Sequence, residues 1–103
     1  MAKGYWIARL DVHDQDAYAR YRSLNAAAFA RFGGRFLVRG GPYLLARGEG
    51  RQHNVVIEFP SGGAARACYE SPEYQEALRH LLKACATDML VIDGYDGPQP
   101  GDA

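Results

Sequence analysis

Four stretches of this chain alternate with a period of two, and two longer stretches repeat near 3.6 residues; their order is strand, helix, strand, strand, helix, strand. Few folds accept that order. The first strand is GYWIARLD, residues 4–11, with Trp6, Ala8 and Leu10 on one face and Tyr5, Ile7, Arg9 and Asp11 on the other. Asp14 is a natural N-cap for a helix over residues 15–32, whose stripe is Tyr18, Tyr21, Asn25, Ala28, Phe29 and Phe32. Gly33-Gly34 ends it, because glycine takes the left-handed position after a helix at little cost.

The second strand, RFLVR over residues 35–39, puts Phe36 and Val38 on one face and Arg35, Leu37 and Arg39 on the other. Gly40-Gly41-Pro42 interrupts it, and Tyr43 to Ala46 reads as its continuation past a bulge or kink. A hairpin turn is expected at Arg47 to Arg51. HNVVIEFP, residues 53–60, is the third strand, with Val55, Ile57 and Phe59 facing one way. Ser61 caps a helix over residues 62–70, and Ser71-Pro72 restarts it with a buried stripe of Tyr74, Ala77, Leu78, Leu81, Leu82 and Cys85. Residues 88–95 form the last strand. This order predicts an α+β fold of ferredoxin-like βαββαβ plan, a four-stranded antiparallel sheet with two helices on one face. It occupies residues 1–95, followed by a loose tail over residues 96–103.

Acidic and basic residues balance, twelve against twelve, so nothing favours nucleic acid or an anionic membrane as a partner. No apolar run is long enough to span a bilayer and the N-terminus lacks a signal-peptide layout, which makes the cytoplasm the expected location. Cys68 and Cys85, reduced there, are expected to pack as small hydrophobes.

The two faces of the sheet are unequal. Trp6, Ala8, Leu10, Phe36, Val38, Val55, Ile57, Phe59, Leu90 and Ile92 are uncharged and assigned to the side under the helices. The other side mixes Tyr5, Ile7, Leu37, Val56, Met89 and Val91 with Arg9, Arg39, Glu58 and Asp93. It is too apolar for water and too charged for a dry core. A homodimer packing two such sheets into a barrel resolves the conflict.

Several words in the chain, in order, resemble one family. They are Gly4-Tyr5-Trp6-Ile7, Tyr18-x-x-Tyr21, Phe32 through Gly41, Val56-Ile57-Glu58-Phe59-Pro60 and Ser71-Pro72-Glu73-Tyr74. The chain is similar to the family of domain of unknown function 1330 over about residues 3–95. The resemblance implies a ferredoxin-like subunit and a dimeric α/β barrel, and no particular reaction. The wider superfamily it implies includes cofactor-free monooxygenases, haem-degrading enzymes, muconolactone isomerases and stress-induced barrel proteins, so fold does not decide function.

Candidate site residues follow from polar groups set in apolar patterns. Arg39 has three readings: an ion pair with Glu58 on the neighbouring strand, a cavity residue holding the carboxylate or phenolate of a small ligand, or a solvated strand residue. Asn25 interrupts an aromatic helix stripe; it is either a satisfied core amide or a donor that orients a ligand carbonyl or an enolate oxygen. Tyr18, Tyr21 and Tyr74 are either aromatic core or the lining of the same cavity. Glu58 and His13 are the candidates for moving a proton, Glu58 only if it is free of arginine. No histidine pair or Cys-x-x-Cys stands at metal-ligand spacing, and no P-loop, dinucleotide fingerprint or G-x-S-x-G occurs. Neither metal nor cofactor is therefore expected, and haem is disfavoured for want of a placed axial ligand. The expectation is a dimer with a cavity between sheet and helices for a small aromatic or carbonyl metabolite. It acts either as a cofactor-independent enzyme of proton transfer, isomerisation or monooxygenation, or as a non-catalytic stress-related or regulatory dimer whose inner charges are structural.

Overall fold

The computed structural model describes residues 2–102. Its elements are β1 (Gly4–Val12), α1 (Gln15–Arg31), β2 (Arg35–Arg39), β3 (His53–Phe59), α2 (Gly62–Glu70), α3 (Pro72–Ala84) and β4 (Cys85–Asp93). The four strands form one antiparallel sheet in the order β2-β3-β1-β4. Short polar side chains define the helix starts. Asp14 accepts from the Ala17 N–H at 3.1 Å and Ser61 from the Ala64 N–H at 3.0 Å. At the end of α1 the Gly34 N–H donates to Phe29 O and the Gly33 N–H to Ala30 O, with Gly33 at φ +76°, which is a Schellman closure.

Among the described residues there are three helices, not two. Ser71 is extended (φ −66°, ψ 147°) and divides α2 from α3; its hydroxyl donates to Cys68 O at 2.7 Å and accepts from the Tyr74 N–H at 3.2 Å. With proline at the first helical position, α3 cannot continue the helix before it. Cys85, read above as the end of the helical stripe, is the first residue of β4, and Leu82, read as part of that buried stripe, is exposed.

The core lies between the helices and the sheet and is centred on Trp6. Its ring meets Tyr74 at 4.7 Å, Phe29 at 5.2 Å and Phe59 at 5.5 Å between centroids, and its indole N–H donates to Ala65 O at 2.8 Å. Both cysteines are free and buried.

Two assignments of face are corrected. On β2 the pairs with β3 run Phe36 with Ile57, then Val38 with Val56 and Arg39 with Val55. Leu37 is thus an extra residue, and the bulge lies there and not at Gly40-Gly41. One inserted residue reverses every later side chain on the strand. Val38 turns to the outer face and Arg39 to the helix side. On β4, Met89, Val91 and Asp93 pair with Ala8, Trp6 and Gly4 on the helix side, while Leu90 and Ile92 pair with Ile7 and Tyr5 on the outer face. The residues 43–46 add no strand; β2 ends at Arg39, and a long loop over residues 40–52 leads to β3.

Candidate functional site

Helix α1 presents Tyr18, Tyr21, Arg22, Asn25 and Phe29 at positions i, i+3, i+4, i+7 and i+11, so all five project from one face. That face covers a cavity whose floor is the inward row of the sheet, including Trp6 and Ala8 of β1, Val55 and Ile57 of β3, and Met89 of β4. Ala8 is the small residue in that row, and its missing bulk leaves space under the helix. The enclosed space is small, about 40 Å³. That is room for a few waters. A ring-sized ligand must widen it, and the edge-strand ring of Phe36 and the unbranched thioether of Met89 are the lining groups best able to move.

The mouth is polar. Tyr18, Arg22, Arg39 and His53 surround an outer hollow of about 340 Å³ and also line the inner one. The Arg39 guanidinium lies 4.2 Å above the centroid of the Phe36 ring, a cation–π contact that holds it at the entrance. The Tyr18 ring meets His53 edge-on at 6.1 Å. Gly40, at φ +69°, follows Arg39, and a Cβ there would stand 2.8 Å from Cε1 of His53. Glycine therefore serves two ends: it takes the left-handed turn out of β2 and lets the backbone lie against the imidazole.

Burial, Arg22 and Arg39, in that order, lower the pKa of His53 below its ordinary value. The imidazole is neutral at pH 7 and can accept a hydrogen bond or a proton. Tyr18 is raised by burial, partly offset by the same two arginines. At the inner end the hydroxyls of Tyr21 and Tyr74 are 2.9 Å apart, and that of Tyr74 also lies 3.7 Å from Sδ of Met89. Burial pushes Tyr21 up to about 12 although Tyr74 and the neighbouring Asn25 amide act against it; burial raises Tyr74 as well. Both stay neutral phenols, suited to donating hydrogen bonds and unsuited to acting as bases.

Of the residues singled out from the sequence, the fold brings Tyr18, Tyr21, Asn25 and Arg39 to one cavity. Tyr74 stands behind Tyr21 and orients its hydroxyl. Glu58 lies on the opposite face of the sheet, where the Tyr5 hydroxyl donates to it at 3.1 Å and Arg35 is its neighbour on β2. It forms no ion pair with Arg39. His13 is exposed in the turn between β1 and α1, and its backbone N–H donates to Ala84 O. Arg22, His53 and Met89 were not anticipated. Arg22 carries a signal, four residues after Tyr18 and three before Asn25. His53 carries one too, two residues before Val55 on an alternating strand.

Among the described residues no helix is long and apolar enough to cross a membrane, and no three His, Cys, Asp or Glu side chains group as metal ligands.

The fold is similar to that of several solved proteins. RPA0582 from Rhodopseudomonas palustris, a protein of unknown function, is 21% identical with a TM-score of 0.76, over 93% of this chain and 85% of that one. SnoaB from Streptomyces nogalater, a cofactor-independent oxygenase, is 16% identical with a TM-score of 0.64, over 99% and 100%. A dimeric ferredoxin-like protein of unknown function from Jannaschia sp. CCS1 is 17% identical with a TM-score of 0.60, over 91% and 99%. At such identities the likeness is one of fold. No curated protein matches the chain. The family model for the domain of unknown function DUF1330 matches residues 3–95, and the chain belongs to that family.

Proposed function

We propose that this protein is a homodimer that binds a small aromatic or carbonyl-bearing metabolite beneath α1 and acts on it without a cofactor, by proton transfer, isomerisation or monooxygenation. The observation that carries the reading is the joining of an aromatic hollow to a polar mouth, with the Asn25 amide and the Tyr21 hydroxyl at the inner end. Asn25 and Tyr21 donate to a ligand carbonyl, or to the enolate oxygen that forms when a neighbouring carbon loses a proton. Tyr74 fixes the direction of the Tyr21 hydroxyl. Tyr18 closes the side of the entrance. The likeness in fold to SnoaB supports a reaction that needs no cofactor. The dimer is supported by the dimeric ferredoxin-like neighbour and by Ile7, Val38, Leu90 and Ile92, all more than a third exposed on one sheet face.

Native mass spectrometry of the protein as purified, with gentle desolvation, tests both parts. A dimer carrying a reproducible small adduct, reduced in Asn25→Leu, is the expected result. A monomer overturns the dimer. A bare protein that also binds no member of an aromatic and carbonyl panel by ligand-observed NMR overturns the cavity reading.

A further inference from the structure

We infer that the ligand of this cavity is a planar aromatic bearing one anionic oxygen group, a carboxylate or a phenolate, gripped between Arg22 of α1 and Arg39 of β2 with its ring turned inward. The inference rests on the cavity reading above and adds the charge and shape of what enters. Its basis is an imbalance of charge at the mouth. The ion pairs among the described residues engage Arg31, Arg51, Arg66 and Arg79. Among the described residues neither Arg22 nor Arg39 has a carboxylate within 4.0 Å. Yet helix and edge strand bring both to one opening, with no acidic side chain in its lining.

The other groups at the opening deepen that imbalance. Tyr18 is a neutral phenol below its raised pKa, and His53 is a neutral imidazole at pH 7 because of burial and the same two cations. An anion seated there meets two guanidinium forks, each able to make paired hydrogen bonds to a carboxylate or a charged bond to a phenolate. The imidazole remains as an acceptor for a hydroxyl beside the anion. Behind the mouth the walls are Trp6, Phe29, Phe36 and Ile57, which favour a flat apolar body. The inner Tyr21 and Asn25 are uncharged donors, so the far end of the ligand carries a neutral polar atom and not a second charge. A free phosphate or a flexible aliphatic acid would satisfy the mouth and leave the walls unused.

Four probes separate these possibilities: benzoate, its uncharged isostere benzamide, 4-nitrophenol at a pH where both its forms are present, and inorganic phosphate. Titration calorimetry reads affinity. The emission of Trp6, the chain's one tryptophan and part of the cavity wall, reads location. Benzoate or 4-nitrophenolate is expected to bind about tenfold or more tightly than benzamide, as charge-assisted hydrogen bonds imply, and to change Trp6 emission. Arg22→Met and Arg39→Met should each bring the affinity for the anion down toward that for benzamide, with circular dichroism confirming the fold. Which of the two anions binds, and the spectrum of bound 4-nitrophenol, distinguish carboxylate from phenolate. Equal affinity for benzoate and benzamide, with Trp6 responding, overturns the anion assignment and leaves the cavity reading standing. Phosphate binding as well as benzoate overturns the aromatic assignment. An anion effect that survives both arginine replacements overturns the clamp. If no aromatic probe changes Trp6 emission or releases heat, the cavity reading fails and this inference fails with it.

Discussion

Arg39 and Glu58 sit on adjacent strands yet point to opposite sides of the sheet. The cause is the bulge at Leu37, which shifts the pairing so that Arg39 stands opposite Val55 while Glu58 stands opposite Arg35. Without that bulge, strict alternation over residues 35–39 would set Arg39 on the face that carries Glu58. One inserted residue thus moves a guanidinium from a cross-strand neighbourhood of carboxylate to the mouth of a cavity. It also leaves Glu58 to accept the Tyr5 hydroxyl.

Gly40 is the backbone half of this arrangement. Gly40→Ala puts a Cβ into a left-handed residue and 2.8 Å from the His53 ring. Strain of this kind costs about 1–3 kcal/mol, and the imidazole must shift. Urea denaturation should show the loss, and the His53 ring signals in NMR should move. Wild-type stability with unmoved His53 signals would mean that the loop relaxes freely and that Gly40 does not position the imidazole.

The Tyr21 and Tyr74 hydroxyls act as a pair inside the core. Tyr21→Phe leaves the Tyr74 hydroxyl with only the Met89 sulfur, a weak acceptor, and should cost about 1–2 kcal/mol. Adding Tyr74→Phe should cost less than its effect alone, because the orphaned hydroxyl is removed. A double-mutant cycle in urea measures the coupling, expected at about 0.5 kcal/mol or more. Strict additivity would show that the two hydroxyls do not support one another.

His53 gives the pH dependence a definite sign. Its folded pKa is below the unfolded 6.5, so the unfolded chain binds the proton more readily. Its contribution to stability is present above 6.5 and is lost as pH falls through the folded value. The groups facing it at the mouth are Arg22 and Tyr18 from α1 and Arg39 from β2. Arg22→Met or Arg39→Met should raise the His53 pKa, followed by NMR of its ring protons, and should weaken the pH dependence. A pKa that stays fixed in both variants would leave burial alone as the cause. Tyr21 acts at the other end of the scale: with its folded pKa raised from 10 to about 12, its contribution is lost as pH rises through that interval.

How much of this was legible in the sequence depends on what each feature rests upon. Element order, the caps at Asp14, Ser61 and Ser71, and the inward rows of β1 and β3 follow from local chemistry and alternation, and sequence carries both. The cavity face of α1 was legible except at Arg22, a charge that adjoins the aromatic stripe and is absent from its apolar periodicity. The faces of Val38 and Arg39 were not legible, because a bulge inside five residues leaves no mark in composition. Those of Leu90 and Ile92 were not, because both rows of β4 are apolar and only pairing with β1 distinguishes them.

Leu90 and Ile7 are opposite one another on β4 and β1, and both lie open on the outer face. With Ile92 and Val38 they form an apolar surface flanked by Arg9, Arg35, Glu58 and Asp88. The proposed dimer buries that surface against its copy, and a symmetric interface places each substitution near itself twice. Leu90→Lys therefore sets two cations into one apolar contact. Because the Leu90 side chain is 49% exposed in the subunit, the variant should keep the fold and its helical circular dichroism. Analytical ultracentrifugation at micromolar concentration should find the wild type dimeric and Leu90→Lys largely monomeric. Leu82→Lys, equally conservative and 62% exposed on α3 at the far side of the sheet, should remain dimeric. If Leu82→Lys dissociates the protein while Leu90→Lys does not, the subunits meet through their helices and the barrel arrangement is wrong.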